Sequence, residues 1–108
     1  YKDIEGADVV IVTDPAYADL DDIFDYIAAD NVDAARRFVS QIVDHLHRIA
    51  ETGHTGVPRD SIRPGLRLSV HGRYNIYFRV FGDETVVLHI VHSARDIGRL
   101  SFDHDQSR

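Results

Sequence analysis

Three consecutive segments in the second half of the chain are predicted to be β-strands, and this pattern constrains the fold most strongly. They cover residues 66–70, 73–81 and 85–92. The first two place alternate side chains on two faces, whereas the third is apolar on most of both faces, as in a buried central strand, with Val86, Leu88 and Ile90 expected on one of them. Gly72 separates the first two segments, and residues 82–84 form a short turn between the last two. Because short turns join neighbouring antiparallel strands, the sequence predicts a three-stranded antiparallel meander.

The first half of the chain predicts one strand followed by two amphipathic helices. Residues 9–13 are a short β-branched run typical of a buried strand, and Asp14 is placed to cap the helix that follows. Apolar residues then recur at helical spacing over residues 15–29 and 32–51. The break between these two segments is so short that the helices are expected to form an antiparallel hairpin.

Together these elements predict a single α+β domain in which the helical hairpin covers one sheet, made of the first strand and the meander. Asp19, Asp21, Asp22 and Asp25 fall between the apolar positions of the first helix and are expected to form a solvated face. The side chains expected to meet in the core are Leu20, Ile23, Phe24, Phe38, Ile42 and Leu46 from the helices and Ile76, Phe78, Leu88 and Ile90 from the sheet.

Length and charge limit the class of protein. The 108 residues suffice for one domain, assigned to residues 8–100, with a polar, flexible tail at 101–108. Residues 1–7 resemble a tag remnant and carry no functional argument. The chain has no cysteine and no apolar run near the roughly 20 residues that cross a bilayer, so a cytoplasmic location is expected. Its net charge of −6 gives no overall attraction to nucleic acid.

The histidines do not predict a metal centre. His45 and His47 are two residues apart on a helix and point away from each other. His89 and His92 are three residues apart on a strand and are expected on opposite faces. We therefore expect neither a bound metal nor a cofactor.

Five short segments, in order along the chain, carry a resemblance to a known family. They are Ala18-Asp19-Leu20-x-x-Ile23-x-x-Tyr26-Ile27-Ala28, Ala34-Ala35-x-x-Phe38-Val39, Ile62-Arg63-Pro64-Gly65-Leu66-Arg67, Gly72-Arg73-Tyr74-x-Ile76-x-Phe78-Arg79-Val80 and Val91-His92-x-Ala94-Arg95-Asp96-Ile97. With the order of elements, they resemble the RelE/ParE superfamily of bacterial toxins. The Pro-Gly-Leu-Arg and Ala-Arg-Asp-Ile segments are similar to the ParE branch.

This resemblance implies the toxin of a type II toxin–antitoxin system, neutralised in a hetero-oligomer by a ParD-like antitoxin. ParE-like toxins inhibit DNA gyrase and arrest growth without cutting RNA, whereas RelE-like relatives are ribosome-dependent mRNA endonucleases. Neither membrane binding nor sequence-specific binding of nucleic acid by this chain alone is expected. A protein-interaction domain without toxicity is a third interpretation.

The candidate site residues differ between these interpretations. RNA cleavage needs a base, an acid and cations around one phosphate, and its candidates here are Arg67, Arg73, Arg79, His92 and Arg95, with Tyr74 or Tyr77 as further proton-transfer groups. Residues 93–100 lack the tyrosine or histidine of the RelE pattern, which favours inhibition of gyrase without catalysis. The candidate partner-binding residues are Arg67, Arg73, Tyr77, Arg79, Arg95 and Asp96. A simpler interpretation of Arg67 or Arg79 alone is pairing with a carboxylate on a neighbouring strand.

Overall fold

Two helices pack on one face of a five-stranded sheet in the computed structural model, which describes residues 9–52, 56–95, 97–100 and 102. The elements are β1 (Val9–Val12), α1 (Asp14–Ala28), α2 (Val32–Thr52), β2 (Val57–Pro58), β3 (Arg67–His71), β4 (Tyr74–Phe81), β5 (Glu84–His92) and a 3-10 turn (Ile97–Arg99). The strand order across the sheet is β1-β5-β4-β3-β2. The predicted α+β class is confirmed, and residues 1–7 lie outside the described part of the chain.

The helical hairpin forms where the sequence predicts it, but a different residue caps its first helix. Thr13, and not Asp14, is the N-cap of α1, and its hydroxyl accepts a hydrogen bond from the Ala16 N–H at 3.4 Å. Asn31 has the same role for α2, because its side-chain oxygen accepts from the Ala34 N–H at 2.9 Å. Within the described residues, neither helix combines the length and the apolar character that a membrane span needs.

The predicted meander is confirmed, and the sheet has one strand more than the four predicted. β3, β4 and β5 pair antiparallel in sequence order, and β1 pairs parallel with β5 at the edge. The additional strand, β2, pairs with β3 at the opposite edge. It has only two residues, one of them Pro58, so it carries no alternation that a sequence pattern could reveal.

A register shift in the pairing of β4 with β5 reverses the faces predicted for part of β5. Tyr77 pairs with His89 but its neighbour Phe78 pairs with Val87, so Leu88 is an extra residue in β5. The core between helices and sheet therefore contains Val87 and not Leu88. This helix-side core consists of Ala16, Leu20, Ile23, Ile42, Leu46, Ile49, Ile76, Phe78, Val87 and Ile90.

The opposite face of the sheet carries a second buried cluster. This cluster, here called the outer core, consists of Leu66, Leu68, Tyr77, Val86, Leu88, Val91 and Phe102. Phe102 is only 6% exposed, and its ring centroid lies 5.0 Å from that of Tyr77. Phe102 falls within the segment expected to be a flexible tail, and the rest of that segment lies outside the described residues.

Asp19 is largely buried, with 11% of its side chain exposed, contrary to the solvated position predicted for it. Its Oδ2 atom accepts hydrogen bonds from the Ile90 N–H at 2.9 Å and from the His89 Nδ1 at 2.8 Å. β1 pairs with β5 only as far as Val87, so this carboxylate satisfies the edge of β5 where β1 has ended. The helical period alone placed Asp19 outward, because it takes no account of a polar partner on the sheet.

We expect Asp19→Ala to destabilise the fold by about 1–3 kcal/mol, because it leaves a buried N–H and a buried imidazole without their acceptor. Urea denaturation measures this change in the free energy of unfolding. The matched control is Asp22→Ala on the exposed side of the same helix, which is expected to stay within about 0.5 kcal/mol of the wild type. Equal effects of the two substitutions would contradict this role for Asp19.

Candidate partner-binding site

A groove opens at the end of the sheet where the helical hairpin meets the β3–β4 turn and the end of β5. Its volume is about 700 Å³. The groove, here called the end groove, is lined by Tyr26, Ile27, Phe38, Gly72, Arg73, Tyr74 and His92. Aromatic and aliphatic side chains make up most of this lining, which is typical of a binding site.

The pairing of β4 with β5 positions the back wall of the end groove. Tyr74 and His92 are register partners, and their rings meet edge to face with centroids 5.5 Å apart. Phe38 reaches them from α2, with its ring centroid 5.5 Å from that of Tyr74. Three aromatic rings from three elements thus form a continuous wall.

The tight β3–β4 turn places Arg73 at the rim of the groove. Gly72 has a φ of +59°, a conformation that residues with a side chain rarely adopt, and Arg73 follows it in an exposed position. On the other side, the Ala94 N–H donates to Nδ1 of His92 at 3.1 Å. That bond makes Nδ1 an acceptor, so the proton of the neutral ring is on Nε2.

The electrostatic character of the groove follows from these groups. Arg73 supplies a positive charge, and Tyr26, Tyr74 and His92 supply hydrogen-bond donors. Among the described residues that line the groove, none is acidic. The groove is therefore suited to an apolar group that carries a negative charge.

Two of the predicted arginines lie outside the groove and on opposite faces of the sheet. Arg67 is half-buried on β3, and its Nη2 donates to the Gly56 carbonyl at 3.1 Å. Arg79 shares the outer face of β4 with Phe81, and its guanidinium carbon lies 4.8 Å from the centroid of that ring. A Cβ atom at Gly65 would lie 3.2 Å from Arg79 Nη2, so the arginine packs closely over this glycine.

The remaining candidates are also dispersed. Arg95 is exposed in the turn after β5, and Asp96 lies outside the described residues. Tyr77 is 4% exposed beneath Phe102, so a partner reaches its ring only if Phe102 moves. Of the candidates, the structure brings together Arg73, Tyr74 and His92.

Behind the groove lies a pair of histidines that the sequence did not reveal. Nδ1 of His45 on α2 is 2.8 Å from Nδ1 of His71 on β3, and Nε2 of His45 is 3.0 Å from the Ser69 hydroxyl. His71 also contacts Phe38, with ring centroids 5.6 Å apart. No spacing could have identified the pair, because its members are 26 residues apart on different elements.

This histidine pair favours the neutral state. Two imidazole nitrogens at hydrogen-bond distance need one proton between them, and full protonation would place two donors face to face. Burial lowers the pKa of both rings, and Arg48 lowers both further by charge repulsion, as His71 does for His45. Within the described part of the chain, no group of three or more His, Cys, Asp or Glu side chains could hold a metal ion.

Solved structures define the class to which this fold belongs. The chain is similar to one in the chromosomal ParDE TA system from P. aeruginosa, with a TM-score of 0.68 and 28% identity over 82% of this chain and 98% of that one. It also has the fold of a chain in the toxin–antitoxin complex RelBE2 from Mycobacterium tuberculosis, with a TM-score of 0.55, 18% identity and coverage of 80% and 98%. The fold is thus that of the RelE/ParE superfamily.

The family itself follows from the sequence comparisons. The model of the ParE toxin of type II toxin–antitoxin systems matches residues 10–97. Toxin ParE3 of Caulobacter vibrioides is 31% identical over 83 residues, which cover 76% of this chain and 83% of that toxin. Toxin ParE1 of Mycobacterium tuberculosis is 30% identical over 69 residues, or 63% and 70% of the two chains. The chain belongs to the ParE toxin family, and the predicted ParE-like resemblance is confirmed.

The histidine pair predicts a stability that depends on pH. Below the ordinary histidine pKa of about 6.5 the unfolded chain binds protons, whereas the folded pair, with its lowered pKa, does not yet do so. The free energy of unfolding is therefore expected to fall as the pH drops through 6.5 and to level off once the folded rings are protonated as well. Urea denaturation at a series of pH values between about 7.5 and 5 measures this dependence.

The test of this assignment is His71→Asn, whose amide keeps a polar group near the position of Nδ1. We expect this variant to lose part of the pH dependence below 6.5. His47→Asn is the matched control, because His47 is exposed on the same helix as His45. If both variants kept the wild-type dependence of the unfolding free energy on pH, the histidine pair would not be the source of that dependence.

Proposed function

We propose that this chain inhibits DNA gyrase without catalysis and is neutralised in the cytoplasm by a ParD-like antitoxin. The observation that carries the proposal is the match of the ParE toxin model to residues 10–97, which spans α1, α2 and nearly the whole sheet. The chain also covers 83% of Toxin ParE3 and 70% of Toxin ParE1, so the likeness extends over most of those toxins.

The dispersal of the candidate residues supports docking over bond cleavage. An endonuclease needs a base, an acid and cations aimed at one phosphate. Here Arg67 donates to the Gly56 carbonyl, and Arg79 stacks on Phe81 on the other face of the sheet. A single phosphate cannot contact both arginines while the sheet lies between them.

The charge of the chain supports the same conclusion. Phosphate contacts supply much of the affinity of proteins that bind nucleic acid. This chain has a net charge of −6, with 18 acidic side chains against 12 basic ones. A protein target such as gyrase needs only a complementary surface, which an acidic chain can provide.

One observation favours the alternative, a RelE-like ribosome-dependent mRNA endonuclease. Arg73, Tyr74 and His92 line the same groove, so a cation and two groups able to transfer protons lie near one another. In that reaction Arg73 would stabilise the charged phosphate, and His92 or Tyr74 would transfer a proton. The groove is mostly apolar, however, and this suits a side chain better than a phosphate.

Expression of the chain without an antitoxin is expected to arrest bacterial growth, and the purified protein is expected to inhibit supercoiling by gyrase in vitro. Co-expression of a ParD-like antitoxin should restore growth, and its addition should restore supercoiling. Normal growth together with unimpaired supercoiling would contradict the proposal and favour an interaction domain without toxicity.

A parallel assay of mRNA cleavage on ribosomes distinguishes the endonuclease alternative from inhibition of gyrase. We expect no cleavage by the wild type. Cleavage that is lost in Arg73→Ala and His92→Ala but kept in His47→Ala would establish the alternative instead. His47 serves as the control because it is an exposed histidine that does not line the groove.

A further inference from the structure

We propose that the end groove receives the antitoxin's neutralising segment, which inserts a bulky apolar side chain flanked by a carboxylate. This inference rests on the proposed function, because it needs an antitoxin as the partner. It assigns the occupant of the groove and the chemistry by which that occupant is recognised.

The apolar part of the proposal follows from the lining. Ile27, Phe38 and Tyr74 form an apolar surface within a space of about 700 Å³. Tyr26 stands at the edge of this space with 79% of its surface exposed. An exposed aromatic side chain beside an apolar groove is typical of a surface that a partner covers.

The acidic part follows from charge. Arg73 lies at the rim in an exposed turn, and its planar guanidinium can bind a carboxylate through two hydrogen bonds. Because Nδ1 of His92 accepts from the Ala94 N–H, its Nε2 is left as a donor. None of the described lining residues is acidic. A partner segment that carries a carboxylate next to its bulky apolar side chain is therefore complementary to this surface.

The same observations disfavour two other occupants. Nucleic acid would bring many phosphates toward a chain whose net charge is −6. A second copy would bring the same negative charge and the same exposed aspartates of α1. A segment with one carboxylate beside an apolar side chain adds little repulsion and uses both parts of the groove.

The test measures the affinity of the purified toxin for the purified antitoxin encoded beside it, by fluorescence anisotropy. Tyr26→Ser and Arg73→Glu are each expected to raise Kd at least about tenfold, because each removes one contact of the groove with the segment. A tenfold change in Kd corresponds to about 1.4 kcal/mol of binding free energy. The matched controls are Tyr17→Ser, an exposed tyrosine of α1 outside the groove, and Arg37→Glu, an exposed arginine of α2. We expect both controls to bind within about twofold of the wild type, within the 0.5 kcal/mol typical of surface substitutions.

Overlapping 15-residue peptides from the antitoxin identify the segment itself. The peptide that binds the wild type is expected to contain a bulky apolar residue within two positions of Asp or Glu. Replacing that acidic residue with Lys should weaken binding to the wild type and restore binding to Arg73→Glu. An unchanged affinity of the Lys peptide for the wild type would overturn the assignment of Arg73.

Gyrase supercoiling separates this inference from the proposed function. The supercoiling assay uses the wild type alone and tests the proposed function, whereas the affinity of Tyr26→Ser for the antitoxin is measured without gyrase and tests the groove. A wild-type Kd for Tyr26→Ser would overturn the groove assignment and leave gyrase inhibition by the wild type intact. Failure of the wild type to inhibit gyrase or to bind any antitoxin would overturn the proposed function itself. A wild-type dimer in light scattering that Tyr26→Ser dissociates would assign the groove to a second copy and overturn the inference.

Discussion

One largely buried carboxylate connects the helical hairpin to the central part of the sheet. Asp19 accepts hydrogen bonds from the Ile90 N–H and the His89 ring, along the part of β5 that β1 does not reach. β5 is buried over nearly its whole length, so an unpaired edge there would leave polar backbone groups without partners in the interior. A side chain of α1 takes the place of a neighbouring strand. The same contact fixes the end of β5 that carries His92 at the groove.

The register shift in β5 is the second requirement for the groove. Strict alternation from Val87, which faces the helices, would send Ile90 and His92 to the outer face. The extra residue Leu88 restores both to the helix side, where Ile90 joins the core and His92 meets Tyr74. A single inserted residue therefore places one of the three rings of the back wall. The histidine pair supports the same wall from behind, because His71 ends β3 beside the turn and contacts Phe38.

Sequence patterns predicted the helices and strands, which follow a local period of apolar residues. They did not predict contacts between elements that are distant along the chain. Alternation and helical spacing predicted the meander and the hairpin, because each of these patterns is local. The shift at Leu88 breaks the alternation without a glycine or proline to mark it. The burial of Asp19 and the meeting of His45 with His71 depend on elements 70 and 26 residues away along the chain. Arg73, Tyr74 and His92 were predicted as site residues, but Phe38, which completes the aromatic wall, was predicted only as a core residue.

The fold by itself does not decide between docking and cleavage, since one fold can host different activities. The decision depends on which side chains meet at one point. Cleavage requires charges to converge on a phosphate, and in this chain Arg67 and Arg79 are separated by the sheet itself. The groups that do converge are aromatic rings around a single exposed arginine. Such a surface gains most of its binding energy from buried apolar contacts and uses its charge to select a partner, which is how a docking site works.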